Sequence, residues 1–100
     1  MKYLNCVFHE TLRIYQPANG IFFREAQYDH YLNDVPIKKG TVMALSSLSC
    51  HYNEKNFENP FEFIPERWEK GEGNNIMVPK PYSWLPFSAG ARSCIGQHLA

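Results

Sequence analysis

Over the first fourteen residues, apolar side chains recur at steps of three and four. Tyr3, Leu4, Val7, Phe8, Thr11, Leu12 and Tyr15 fall on one side of a helical turn, which predicts a helix over residues 1–14. Pro17 ends it, because proline lacks the backbone donor and restricts the residue before it. After Gly20 the period shortens. Ile21-Phe22-Phe23-Arg24 reads as a strand, and Tyr31-Leu32 with Val35-Pro36-Ile37 as a hairpin across Asn33-Asp34. Lys38-Lys39-Gly40 reads as a turn, residues 41–45 as a second apolar strand, and residues 46–50 as a short helical turn. Residues 52–82 form a meander interrupted by Pro60, Pro65, Pro79 and Pro81, with a polar insert at residues 70–75. So long a stretch without periodicity is uncommon inside a compact domain and implies a segment that packs on something larger. Trp84-Leu85-Pro86-Phe87 then runs through a loop at residues 88–90 into a helix expected near Ile95.

Composition narrows the function classes. Ten basic side chains face ten acidic ones. The balance is also local, with five basic and four acidic groups in residues 1–50 and five and six in residues 51–100. No basic stripe is available to neutralise phosphates, which excludes a nucleic-acid binder. Hydrophobic residues at 44% and charged residues at 20% exclude intrinsic disorder. No apolar run reaches the ~20 residues of a membrane span, and the first residues lack the pattern of a cleaved signal peptide. Three cysteines, Cys6, Cys50 and Cys94, make no even disulfide framework. They read as free thiols in a reducing compartment, or as one thiol with a task.

That task falls to Cys94. In Phe87-Ser88-Ala89-Gly90-Ala91-Arg92-Ser93-Cys94-Ile95-Gly96 the thiol stands just before an expected helix, whose free N–H groups would favour a thiolate. Arg92 adds positive charge, Gly90 permits a positive φ, Gly96 lets a flat partner approach, and Phe87 screens the sulfur. The loop is built to present one anionic sulfur to a large planar ligand. Two further patterns are weaker alone: Glu10-Thr11-Leu12-Arg13 on the first helix, and Pro65-Glu66-Arg67-Trp68 after Phe57, Phe61 and Phe63.

In this order the three patterns resemble the C-terminal part of the cytochrome P450 family. Glu10-x-x-Arg13 is similar to the E-x-x-R of its K helix, and Pro65-Glu66-Arg67-Trp68 to the P-E-R-[FW] of its meander. Phe87-x-x-Gly90-x-Arg92-x-Cys94-x-Gly96, extended to Ala100, is similar to its haem-binding loop. Lys39-Gly40-Thr41 and Asn59-Pro60-Phe61-Glu62-Phe63 agree with its intervening phrases. Ser88 stands where many members have glycine and Ala91 where many have proline. The FSAG and PERW forms look like the eukaryotic microsomal branch.

The resemblance implies a mainly α fold with a small β part (α+β): K helix, short strands, meander, cysteine loop and the start of the L helix. Residues 1–100 would be a partial domain, truncated at both ends. It further implies haem b with Cys94 as the axial thiolate on iron, Arg92 and Arg24 on the haem propionates, and Phe87 and Gly96 against the cofactor. Backbone N–H groups after Cys94 would hydrogen-bond the sulfur. Glu10, Arg13 and Arg67 would form a buried ion triad with a structural task. No catalytic residue beyond the iron ligand is implied within these residues. The activity implied is that of a monooxygenase acting on a small lipophilic substrate, served by an NADPH-dependent reductase at the cytosolic face of the endoplasmic reticulum. Three other readings compete: a zinc module on Cys6/His9 and Cys94/His98, an aromatic interaction surface over residues 57–68, and a cysteine nucleophile with His9, His51 or His98 as base.

Overall fold

The computed structural model describes residues 1–18, 20–70 and 76–99. Helix α1 runs Lys2–Ile14 and strand β1 Ile21–Glu25, followed by β2 His30–Leu32, β3 Val35–Ile37, β4 Val42–Ser46 and the one-turn helix α2 Leu48–His51. Three 3₁₀ segments follow, Pro65–Lys70, Gly90–Arg92 and Ile95–His98. This is the expected α+β arrangement, with two small antiparallel sheets. β1 pairs with β4 in the register Ile21↔Ser46 to Glu25↔Val42. β2 and β3 form the expected hairpin, turning at Asn33, whose φ of 52° lies in the left-handed region that asparagine tolerates.

Local chemistry explains the junctions. At Gly20 φ is +60°, and a Cβ there would run into Gln16, Ser47 and Leu48, so glycine alone fits where the chain leaves α1 and starts β1. Asp29 tethers the far end of the hairpin by accepting from the Lys39 amide at 2.8 Å and from Lys38 Nζ at 3.0 Å. The carbonyls left open at the end of α1 are met by α2 and its flank. The Tyr52 hydroxyl donates to the Ile14 carbonyl at 2.8 Å, and His51 Nδ1 lies 3.1 Å from the Arg13 carbonyl.

Three findings depart from the sequence reading. The apolar face of α1 is buried only at Leu12: Leu4 is 57% exposed and Tyr3 and Phe8 are also open, while Cys6, Glu10 and Arg13, off that face, are buried. Within the meander, residues 65–70 coil into a 3₁₀ helix with Pro65 at its first position, where the missing N–H costs nothing. The element near Ile95 is a four-residue 3₁₀ turn, too short to align the dipoles that the thiolate argument invoked. Residues 71–75 of the polar insert, and Ala100 of the loop motif, lie outside the described residues.

The core is small and aromatic. Cys6, Phe57 and Trp68 are buried together, with Ile76, Met77 and Trp84 packed around them. His9 stacks on Trp84 at 4.8 Å between ring centres, and Trp68 lies 5.3 Å from Trp84. α1 therefore rests on the meander through its polar side, and a buried carboxylate lies at the centre of that contact.

Candidate functional site

Glu10 is inaccessible to water, yet it carries a charge because five donors converge on it. Arg13 grips both oxygens, Nε to Oε2 at 2.9 Å and Nη2 to Oε1 at 2.8 Å. Oε1 also accepts from Arg67 Nε at 3.0 Å and from the Ile64 amide at 2.9 Å, and Oε2 from the Trp68 indole at 2.8 Å. Burial pushes this carboxyl upward, but the bonds from Arg13, Ile64, Trp68 and Arg67 outweigh it and hold Glu10 below the usual carboxylate range. The remaining guanidinium donors are spent on backbone. Arg13 reaches the carbonyls of His51, Pro60 and Glu62, and Arg67 those of Glu58 and Asn59. Phe57 lies under the Arg13 guanidinium at 5.1 Å. Glu10, Arg13 and Arg67 thus form the buried triad that the family resemblance implied. Trp68 and Ile64, which complete it, were not foreseen.

His51, one of the fully buried residues, links this cluster to the cysteine loop. The Leu85 amide donates to Nε2 at 2.7 Å, so Nε2 is an acceptor and the ring proton sits on Nδ1, which faces the Arg13 carbonyl. The Gln16 side-chain Nε2 lies 3.0 Å from Nδ1, and its Oε1 accepts from the Ser47 hydroxyl at 2.9 Å. Burial lowers the His51 pKa against the pull of that carbonyl, and the Arg13 charge lowers it further. The imidazole is neutral at physiological pH.

Beyond Leu85 the chain folds into a tight loop. Ser88 N donates to Leu85 O at 3.3 Å, Ser93 N to Gly90 O at 3.0 Å, and Cys94 N to Phe87 O at 2.9 Å. Ser88 at φ 64° and Gly90 at φ 76° both take left-handed backbone, which makes the reversal possible. The result is a cavity of about 300 Å³ lined by Leu12, Pro17, Ala18, Phe22, Pro86, Phe87, Ser88, Arg92 and Cys94. Cys94, Arg92 and Phe87 come together as expected. Gly96 lies beside the sulfur, where an added Cβ would stand 3.7 Å from Cys94 Sγ. Arg24 does not line the cavity. It shares a face of β1 with Phe22, two residues away, which does. Leu12, Pro17 and Phe22 were missed; only their proximity in the fold places them there.

All three cysteines are free, and their surroundings separate them. Cys6 is sealed in the core, Cys50 is half-buried, and Cys94 is exposed at the cavity. The zinc reading needs Cys6 and His9 as ligands, but Cys6 packs on Phe57 and Trp68, and His9 has its ring against Trp84 and Nδ1 on the Asn5 carbonyl. The aromatic stretch over residues 57–68 is divided: Phe57 and Trp68 are buried in the core, whereas Phe61 and Phe63 are exposed.

The family model for cytochrome P450 matches residues 1–100. This chain belongs to the cytochrome P450 family. It is 40% identical over 100 residues to cytochrome P450 3A15 of Cavia porcellus, covering all of this chain and 19% of that protein. It is equally close to cytochrome P450 3A13 of Mus musculus, and 39% identical over 102 residues to cytochrome P450 4V2 of Rattus norvegicus. The chain spans about a fifth of the length of the curated relatives it matches. P450 proteins bind haem through a cysteine thiolate, and the cavity of this P450 segment fits such a group. Its walls are mostly carbon, its one soft donor is a thiol, and its one cation is a guanidinium suited to a carboxylate. Among the described residues no helix is long and apolar enough to cross a membrane.

Proposed function

We propose that this chain is the proximal haem-binding part of a larger haem-thiolate monooxygenase domain. The whole protein places one atom of O2 in a small lipophilic substrate and releases the other as water, with two electrons from an NADPH-dependent reductase. Its setting is the cytosolic face of the endoplasmic reticulum. The observation that carries this reading is the exposed Cys94 thiol on an apolar cavity shared with Phe87 and Arg92. When bound, the haem supplies the redox and oxygen chemistry.

The chain's own residues hold and tune that group. Cys94 would hold the haem iron through its thiolate, and its backbone N–H donates to the Phe87 carbonyl at 2.9 Å, which keeps the residue in place. Pro86 and Phe87 line the cavity beside Cys94 and give the haem an apolar surface to rest on. Gly96 leaves room beside it. Arg92 would hold one haem propionate with its planar guanidinium fork, and Arg24, outside the cavity on the same face of β1 as Phe22, would hold the other. Glu10, Arg13 and Arg67 do no chemistry; they fix α1 to the meander so that Leu12 forms a wall of the cavity.

The test replaces Cys94 with Ser in the full-length protein and reads the spectrum of the reduced carbonyl complex. The strongly red-shifted thiolate band should vanish. Its survival would mean that another residue ligates the iron.

A further inference from the structure

His51 is a buried titratable side chain for which the proposed chemistry has no use, yet both its ring nitrogens are committed. Nδ1 faces the Arg13 carbonyl at 3.1 Å, at the end of the helix that carries the Glu10 cluster. Nε2 accepts from the Leu85 amide at 2.7 Å, two residues before Phe87, whose carbonyl takes the Cys94 amide. The Arg13 guanidinium closes the link from the other side by donating to the His51 carbonyl at 2.9 Å. A line of hydrogen bonds thus runs from the rigid charge cluster through one imidazole to the root of the cysteine loop.

We propose that His51 is a positioning residue for the Cys94 ligand: its unprotonated Nε2 anchors Leu85 and thereby sets where the loop presents the sulfur. The inference rests on Cys94 being the iron ligand. Leu85 is the natural point of control. Its carbonyl also takes the Ser88 amide at 3.3 Å, so both polar groups of its peptide are fixed, one by His51 and one by the loop's first turn. If Nε2 is lost, the half-buried Leu85 N–H is left without its partner, and the chain shifts to satisfy it. The imidazole of His51 does not touch the sulfur; its influence passes through Leu85, Pro86 and Phe87.

Two variants of the full-length protein separate anchoring from mere bulk. His51→Gln carries its amide out to the Nε2 position and can still accept from Leu85. His51→Asn stops at the Nδ1 position and keeps only the Arg13 side. In the reduced carbonyl complex, the ratio of thiolate-ligated to other carbonyl species should fall in the Asn variant by about tenfold relative to the parent protein, the worth of one buried hydrogen bond. The Gln variant should stay close to the parent, and its iron reduction potential should too. Equal spectra for the two variants, whether both intact or both damaged, would overturn the proposal, since a residue that only fills space does not distinguish them. A thiolate band that persists in Cys94→Ser would instead overturn the ligand assignment and take this inference with it.

Discussion

At the scale of single residues, Glu10 shows how a charge is kept in a dry place. Its two oxygens receive five N–H groups from two arginines, an indole and a peptide. Changing Glu10 to Gln replaces one acceptor oxygen with a donor that must face either Trp68 and Arg13 or Arg67 and Ile64. It also leaves two buried guanidinium groups unneutralised. In the full-length protein we expect a loss of about 3–5 kcal/mol, read by denaturant unfolding, together with loss of haem. Glu10→Gln protein that is fully loaded with haem and of parental stability would contradict this. Two of the triad's three members were legible from local sequence. Glu10 and Arg13 lie on one helical turn, so their pairing is local. Arg67 was placed by family pattern, and Trp68 and Ile64 by neither, because nothing local to a residue says which partner 54 or 58 positions away will approach it. His51 was named only as one of three possible bases, and its actual contacts were not legible for the same reason. As a sequence feature it is one of four histidines, and only the fold gives its two nitrogens different partners.

At the scale of elements, what was readable follows the length of each pattern. α1 and the strands carry repeating signals, and the structure places them within a residue or two of expectation. The 3₁₀ segment Pro65–Lys70 has six residues, too few for a periodicity to reveal it, although proline at its start and Glu66 in its first turn are the local marks of such an element. The cysteine loop was legible as a motif but not as a backbone. Ser88 turns out to hold a left-handed conformation at φ 64°, where a β-carbon is strained. Ser88→Gly should therefore stabilise the full-length protein by about 1 kcal/mol. Gly90→Ala should destabilise it by about as much, since φ there is 76° and no atom lies within 4 Å of an added Cβ, so that backbone strain alone is being measured. Thermal melts of the two variants check this. Shifts in the same direction would show that the loop does not keep this backbone in the assembled protein.

At the scale of the molecule, the chain is drawn out. Its radius of gyration is 15.9 Å, against about 13 Å for a compact domain of this length. Two-stranded sheets are marginal on their own, and Tyr3, Leu4 and Phe8 leave an apolar strip of α1 uncovered. Residues 1–100 expressed alone should therefore melt without a cooperative transition and show little amide-exchange protection in α1. A sharp transition with protected amides from Lys2 to Arg13 would mean that the segment folds by itself. The Glu10 cluster also has a consequence in time. Its carboxylate precedes Arg67 by 57 positions. At ribosomal rates of ~5–20 residues per second, that separation amounts to roughly 3–11 s of synthesis. Throughout that interval Glu10 can be neutralised only by Arg13, and α1 has no meander to rest on. The helix begins its existence as a solvated amphipathic segment with an open apolar strip, the kind of surface that chaperones hold, until Pro65–Lys70 emerges and draws the carboxylate out of water.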